Sequence, residues 1–304
     1  MAHDITPPAD ETGFDQVLQF TVPGRDARGR VVRLGPVLDL ILSAHAYPTP
    51  VRNLLAEALV VAALIGSLLK DDDGQLTMQA QTQDGVIDLL VCDYRAGELR
   101  GHVRFDRARL DELGPTPSLH ALFGDGYLAM TFDMASTNQR YQGIVPLEGE
   151  SIAQACESYF FQSEQVPTLI RVAIDCEQGA SSLASGLLLQ HLPEGEEGRE
   201  RLHARLDHPH WQHIAVMGGS VRDSELLDPA LGLESLIWRL FHEEQEVRVE
   251  RGAALVRGCR CTVEHYTTLL ARFSPEDRAD MMDEDGLIQI DCAFCSRQFP
   301  IAMD

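Results

Sequence analysis

Four of the seven cysteines lie in the last 46 residues of the chain, arranged as two close pairs. Cys259 and Cys261 form a Cys-x-Cys pair, and Cys292 and Cys295 form a Cys-x-x-Cys pair after 30 intervening residues. Two thiol pairs flanking one small folded unit can present four soft ligands to a single tetrahedral ion, most often Zn²⁺. A unit of this length is too small to fold on its own apolar core. The spacing therefore predicts a C-terminal zinc-binding unit whose fold depends on the metal.

The two pairs leave more than one interpretation open. The Cys-x-x-Cys pair has the usual spacing of a zinc knuckle, whereas the Cys-x-Cys pair is tighter than the usual gap of about two to four residues. Neighbouring thiols can also join in a disulfide once a metal no longer holds them apart. A permanent structural zinc ribbon and a redox switch both fit this pattern. A disulfide framework is disfavoured, because the chain has 304 residues and no recognisable secretory signal.

Composition and charge exclude several classes of partner. Residues 1–13 are polar and acidic, which predicts a short disordered lead rather than a signal sequence. The most apolar stretch, residues 54–69, contains Glu57 and is shorter than the roughly 20 residues needed to span a bilayer, so it predicts a buried helix and no membrane partner. The net charge is -22, and residues 262–304 carry nine acidic side chains against three arginines. This balance disfavours nucleic-acid binding.

The hydrophobic periodicity predicts an α+β fold. Apolar residues at helical spacing over 37–46 and 52–70 predict two helices, and the second is apolar enough to lie at the centre of the core. From Gln75 onward the pattern alternates between apolar and polar residues, which indicates successive antiparallel strands and a final strand pair near residues 168–192. We expect an N-terminal antiparallel-sheet domain with packed helices, a helical linker and a small four-cysteine zinc domain.

The segment between the sheet domain and the cysteines has the composition of a marginally stable linker. Residues 194–250 carry 13 acidic against six basic side chains, and they also contain apolar residues such as Trp211, Leu236 and Trp238. One interpretation is that such a segment docks on the first domain while the zinc unit is folded and is released when that unit unfolds. The alternative is an ordinary amphipathic helix that stays docked.

Several motifs occur in a characteristic order along the chain. They are the run Tyr159–Thr168 (YFFQSEQVPT), Gly186–Gln190 (GLLLQ), Glu234–Glu244 (ESLIWRLFHEE), the Cys-x-Cys pair, Glu284–Ile288 (EDGLI) and the Cys-x-x-Cys pair. In this order and spacing they resemble the heat-shock protein 33 family, the bacterial redox-regulated holdase chaperones, over about residues 14 to 304. The first 13 residues and the segment 208–219 carry none of these motifs.

The resemblance implies a chaperone that acts without ATP and is not an enzyme. The absence of a glycine-rich phosphate loop agrees with this. The reduced form would hold one Zn²⁺ per chain through Cys259, Cys261, Cys292 and Cys295 and would be inactive. On oxidation, Cys259 would pair with Cys261 and Cys292 with Cys295, the zinc would leave and the linker would loosen. The activated protein would form a homodimer and bind unfolding client proteins in the cytoplasm under oxidative and heat stress.

Composition and the resemblance together predict a division of the chain. The predicted parts are a disordered lead (1–13), an α+β core domain for client binding and dimerisation (14–193), a metastable helical linker (194–250) and a redox-sensing zinc-binding domain (251–304).

Two other functions stay open from the residues alone. A thiol-disulfide oxidoreductase using Cys292 and Cys295 would need a thioredoxin-like βαβ context, which the flanking sequence does not offer. A regulatory scaffold with a static zinc ribbon would need no redox response. The remaining cysteines and a cluster of histidines are interpreted as small buried hydrophobes and as loop histidines, respectively: Cys92, Cys156, Cys176, and His203, His208, His210, His213.

Overall fold

A computed structural model describes residues 13–69, 73–177, 179–192 and 206–302. The predicted lead, except for Gly13, lies outside the described residues, and so does His203. The strands are β1 (Gln16–Val22), β2 (Ala27–Leu34), β3 (Gln75–Gln81), β4 (Ile87–Arg95), β5 (Glu98–Phe105), β6 (Tyr127–Met134), β7 (Gln139–Pro146), β8 (Thr168–Asp175), β9 (Leu183–His191), β10 (Arg248–Ala254), β11 (Val256–Arg257), β12 (Leu287–Asp291) and β13 (Gln298–Ala302).

Helices fill the intervals between the strands. They are α1 (Pro36–Leu42), α2 (Thr49–Gly66), α3 (Arg107–Asp111), α4 (Leu119–Phe123), α5 (Ile152–Tyr159), α6 (Pro209–Gly219), α7 (Asp223–Leu226), α8 (Leu233–Phe241), α9 (Val263–Leu270) and α10 (Pro275–Asp280). A 3₁₀ turn follows β1 at Pro23–Arg25, and α5 continues into a π-helical turn at Phe160–Glu164.

Two sheets and one long helix form the body of the protein. The five-stranded sheet has the order β10-β1-β2-β9-β8, and the six-stranded sheet has the order β11-β5-β4-β3-β6-β7. Every pairing in both sheets is antiparallel except the short parallel contact between β11 and β5. Helix α2 contacts strands of both sheets. The predicted α+β class with an antiparallel core is therefore confirmed.

Helix α2 is the centre of this core, as its composition predicts. It begins just after Pro48, and a continuous run of its residues from Ala58 to Gly66 is buried. By length and composition α2 could cross a membrane, but 72% of its apolar window is buried inside the fold. The apolar surface of the helix packs against the two sheets, which confirms the prediction of a buried helix.

The outer face of the five-stranded sheet is covered by α6, α7 and α8. Trp211, Ile214 and Phe241 pack with Phe20 and Leu189 in a second hydrophobic cluster, separate from the α2 core. His210 and His213 lie on α6, so the prediction that they are loop histidines was wrong. The apolar positions Trp211 and Ile214 of this segment explain why it folds as a helix on the sheet.

Two polar contacts fix these helices to the sheet. The buried Arg33 of β2 donates hydrogen bonds to the carbonyl oxygens of Leu226 and Leu231. After α8, Glu244 accepts a hydrogen bond from Arg25 at 2.9 Å and lies 2.8 Å from His213 Nε2. Burial alone would raise the pKa of Glu244, but these two partners lower it below its usual value. The carboxylate is thus held ionised where three segments of the chain meet.

Glu57 of α2 is an acidic group placed at the start of another helix. Its carboxylate accepts a 2.9 Å hydrogen bond from the backbone N–H of Ala153, in the first turn of α5. Burial raises the pKa of Glu57 from 4.5 to about 7, although hydrogen bonds from Ala153, Ile152 and Ser151 oppose the rise. Since folding raises this pKa, the folded state is favoured below pH 4.5, and that contribution is lost as the pH rises through about 7.

We therefore expect Glu57→Gln to stabilise the protein at pH 8 and to have little effect at pH 5. Glutamine keeps an acceptor for the Ala153 N–H without the desolvated charge, which predicts a gain of about 1–2 kcal/mol in unfolding free energy at pH 8. Urea unfolding at both pH values measures this difference. The exposed Glu112→Gln is the matched control for loss of one acidic charge. A Glu57→Gln difference that is the same at both pH values would contradict the assignment.

Candidate metal centre

The four C-terminal cysteines lie on one connecting segment and one turn that face each other. Cys259 and Cys261 belong to the extended segment between β11 and α9. Cys292 follows β12 directly, and Cys295 lies in the turn that leads to β13. The turn closes through hydrogen bonds from Cys292 N to Arg297 O (2.9 Å) and from Ser296 N to Cys292 O (2.8 Å). The pairing of β12 with β13 thus places the second cysteine pair at the end of a hairpin.

The structure brings all four predicted ligands into one cluster. The Sγ atoms of Cys259 and Cys261 are 3.1 Å apart, those of Cys259 and Cys292 3.5 Å, and those of Cys261 and Cys295 3.4 Å. All four sulfur atoms lie within 4.8 Å of one another. A tetrahedral zinc with Zn–S bonds of about 2.3 Å separates its sulfur ligands by about 3.8 Å. The cluster therefore fits a four-thiolate metal site in both ligand number and spacing.

The thiols differ strongly in acidity. Burial alone would raise the pKa of Cys292, but hydrogen bonds from the Tyr266 hydroxyl and from nearby backbone N–H groups lower it to about 6. Burial raises the pKa of Cys259 and Cys261 above the usual value. A thiolate is the form of cysteine that binds metals and reacts with oxidants. Cys292 is thus held as a thiolate more readily than Cys259 or Cys261.

The other three cysteines lie apart from this cluster. Cys92, Cys156 and Cys176 are free and buried in the N-terminal body. Burial raises the pKa of Cys92 and Cys156 well above the usual value and that of Cys176 to about 11. Such thiols stay protonated at neutral pH and react slowly. This environment agrees with their interpretation as small buried hydrophobes.

The C-terminal unit has a very small apolar core. Its buried cluster has five members, one of which is a cysteine of the site: Leu270, Ile288, Cys292, Phe299 and Ile301. Tyr266 packs against Phe299 with ring centroids 5.0 Å apart, while its hydroxyl reaches Cys292. The sequence marks Tyr266 only as part of an apolar stripe, and nothing in its spacing reveals the contact with the thiol.

The loop between Cys292 and Cys295 contacts the N-terminal body directly. The guanidinium of Arg100 lies over the Phe294 ring, 4.2 Å from its centroid, and the His102 ring packs edge-on with its centroid 6.4 Å from that of Phe294. His45 Nε2 lies 2.8 Å from the Ala293 carbonyl oxygen, and the Ser296 hydroxyl donates a 2.6 Å hydrogen bond to Ala44 O. Ala293 and Ser296, which follow Cys292 and Cys295 in sequence, are therefore fixed to the core.

The first cysteine pair is attached to the body through its backbone. Val256 N donates to Gly97 O at 2.9 Å, and Gly258 N donates to Leu99 O at 2.8 Å. Arg260, between the two cysteines, donates a hydrogen bond to Gln75 Oε1. Just before Cys259, β10 forms an edge strand of the five-stranded sheet and β11 forms an edge strand of the six-stranded sheet. Strand β10 spans the predicted boundary between linker and zinc domain, and the boundaries themselves remain predictions.

Comparison with known proteins gives one consistent family. The family model described as Hsp33 protein matches residues 15–302. The protein named 33 kDa chaperonin of Caulobacter vibrioides is 39% identical over 306 residues, covering 98% of both chains. Its namesake from Ectopseudomonas mendocina is 35% identical over 284 residues, covering 92% of this chain and 90% of its own.

A solved structure shares the fold. It is the crystal structure of the 33 kDa chaperonin (heat shock protein 33 homolog) from Thermotoga maritima, with a TM-score of 0.77 and 20% sequence identity over 95% of each chain. The sequence resemblance described above is thus confirmed.

Phe294→Ala tests whether the second cysteine pair is fixed to the core through this ring. Losing the Phe294 contacts should free the turn of the second cysteine pair and speed trypsin cleavage after the exposed Arg297 about threefold to tenfold in the reduced protein. Zinc content and thiol count should not change. Phe273→Ala is the control, because Phe273 is an exposed ring of the same unit. Equal cleavage rates for the two variants would contradict the role of Phe294.

Proposed function

This chain belongs to the Hsp33 protein family of chaperones, and we propose that it is a redox-regulated holdase that works without ATP. The observation that carries the proposal is the cluster of four free thiols, which fits a metal and is joined directly to the sheet body. The proposed metal ligands and redox-active residues are Cys259, Cys261, Cys292 and Cys295.

In the reduced state the four thiolates hold the C-terminal unit together. A Zn²⁺ ion bound there would cross-link the two cysteine pairs and supply most of the folding free energy of the unit. The five-member apolar cluster alone is too small to replace that cross-link. With the unit folded, Phe294 stays against Arg100, and β10 and β11 stay paired with the body.

Oxidation converts the ligands into two disulfides. In each pair, two thiolates give up two electrons to one hydrogen peroxide, which takes up two protons from solvent and is reduced to two waters, while one S–S bond forms. By family resemblance the pairs are Cys259 with Cys261 and Cys292 with Cys295. Each bond then lies within one segment and no longer connects the two segments, so the unit loses its cross-link and unfolds.

When the C-terminal unit unfolds, the helices that precede it in the chain lose the attachment at their C-terminal end. Helices α6 to α8 bury the apolar face formed by Leu18, Phe20 and Leu189. Their release would expose this face to unfolding proteins, which offer apolar surface of their own. We propose unfolding client proteins as partners, a homodimer in the oxidised state, and a cytoplasmic location under oxidative and heat stress.

The alternatives receive less support. An oxidoreductase would use Cys292 and Cys295 in a strand–helix setting, but these residues lie in a β-hairpin turn, and the relatives are named chaperonins rather than oxidoreductases. A scaffold with a static zinc ribbon would keep its metal and its surface unchanged under oxidant. The redox experiment below separates that alternative from the holdase.

The test measures zinc, thiols and client aggregation in the same samples before and after treatment with peroxide at raised temperature. The reduced protein should contain about one zinc per chain and seven free thiols. The oxidised protein should release the zinc and retain three thiols, those of Cys92, Cys156 and Cys176. Light scattering should show suppression of client aggregation only by the oxidised form.

Cys295→Ser and Cys92→Ser form a matched pair of variants. The first removes one member of the cluster and should weaken zinc retention and activate the protein without full oxidation, because three thiolates hold the unit less tightly. The second removes a buried thiol away from the cluster and should leave the redox response unchanged. Zinc that stays bound under oxidant, with no effect on client aggregation, would instead identify a static ribbon.

A further inference from the structure

We infer that the edge of β1, which β10 covers in this structure, is a docking site for an extended segment of an unfolding client protein. The segment would add to the five-stranded sheet by backbone hydrogen bonding. This inference rests on the proposed function and assigns a binding surface to it. It concerns the edge of the sheet, in addition to the apolar face under α6 to α8.

The position of β10 shows that this edge accepts an extended chain. Strand β10 pairs antiparallel with β1, with Leu18 opposite Arg251 and Phe20 opposite Val249. Six of the seven residues of β10 are exposed, and the seventh, Gly252, has no side chain. Since the side chains contribute little burial, backbone hydrogen bonds hold β10 in place. An edge that binds a strand mainly through backbone hydrogen bonds can bind strands of many different sequences.

The composition of β1 would favour pairing with another extended chain if this edge were uncovered. Its sequence QVLQFTV has no charged residue, no proline and no glycine. Natural edge strands usually carry charges or proline that prevent pairing with other chains. The two outer strands at the other ends of the sheets follow this rule, since β8 contains Arg171 and Asp175, and β7 contains Arg140 and Pro146. Strand β1 has no such protection except β10.

The placement of β10 in the chain links its release to the thiol cluster. Only four residues separate the end of β10 from Cys259. On its other side β10 follows α8, to which it is tied by an exposed ion pair between Arg251 and Glu234 at 3.4 Å. Helix α8 and the C-terminal unit, which flank β10 in the chain, are both loosened by the proposed switch. Unfolding of the C-terminal unit therefore removes the support of β10 from one end and release of α8 removes it from the other.

An uncovered β1 joins an open edge to an apolar face. Leu18, Phe20 and Val22 point toward the cluster that α6 to α8 cover. A client segment added along β1 would pair its backbone with the edge and place alternate side chains beside this apolar face. The favoured occupant is thus an extended, uncharged and partly apolar stretch of an unfolding polypeptide, which is the kind of segment that otherwise aggregates.

Hydrogen–deuterium exchange of the full-length protein tests the inference. Amides of β1 should be protected in the reduced form, exchange about tenfold faster or more after oxidation, and regain protection when an unfolding client is bound. The edge strands β7 and β8 serve as internal references. If β1 stays protected after oxidation, whether by β10 or by a second copy of the chain, the inference is overturned. It is also overturned if β1 stays unprotected in the client complex.

A variant that displaces β10 in the reduced protein provides the second test. In a strand, successive N–H groups point to opposite sides, so the double change Val249→Pro and Glu250→Pro must remove one hydrogen bond to β1 whichever residue donates it. This variant should suppress client aggregation without oxidant while it keeps its zinc and its thiols. The matched control, Val249→Ala with Glu250→Ala, loses the same side chains but keeps both N–H groups and should stay inactive.

The outcomes separate this inference from the proposed function. If the oxidised wild-type protein does not suppress aggregation, the proposed function fails and the docking site fails with it. If the oxidised protein is active but the proline variant exposes β1 and binds no client, only the docking site is overturned. Activity of the proline variant in the reduced state, together with client-dependent protection of β1, supports both.

Discussion

The four-thiol cluster is the constraint on which, under the proposed function, the arrangement of the C-terminal unit depends. A metal bound there would join the segment of Cys259 and Cys261 to the turn of Cys292 and Cys295, which among the described residues share a five-member buried cluster that itself includes Cys292. A structural zinc of this type contributes about 10–16 kcal/mol to the folding of a small domain. The residues described in the unit bury only the five-member cluster, which could not compensate for the loss of such an ion. Under the proposed function the fold of the unit is therefore conditional on the chemical state of four sulfur atoms.

The cross-link matters to the rest of the molecule because the unit is not an appendage on a flexible tether. Strands β10 and β11 belong to different sheets of the body, and Phe294 packs against Arg100 and His102 on the six-stranded sheet. Each of these contacts is weak, since β10 is exposed and β11 has two residues. Under the proposed function they would together hold α8 and its neighbours on the sheet while the thiols are reduced. Weak contacts that depend on one strong cross-link would give a switch with a large structural response.

The sequence predicts the strong features well and the weak contacts poorly. Four cysteines in two pairs, a nearly all-apolar helix α2 and alternating strands are local patterns, and the structure has them where they were expected. Strand β10 escaped prediction because exposed side chains on an edge strand leave no apolar period to detect. The packing position of Phe294 is set by residues that lie nearly 200 positions earlier in the chain, and no local sequence pattern connects Phe294 with those residues. The histidines of α6 were misplaced because polar residues obscured the buried positions Trp211 and Ile214.

Chain connectivity sets the order in which the proposed switch would open. A change at the thiols reaches β11 and β10 first, because both lie within a dozen residues of Cys259. Helix α8 follows, but it is retained by Glu244, whose contacts with Arg25 and His213 involve no residue of the C-terminal unit. Helix α7 is the most firmly held, since the carbonyl oxygens of Leu226 and Leu231 are bound by the buried Arg33. The edge of β1 would therefore become accessible before the apolar face beside it, so backbone pairing would precede apolar contact when a client binds.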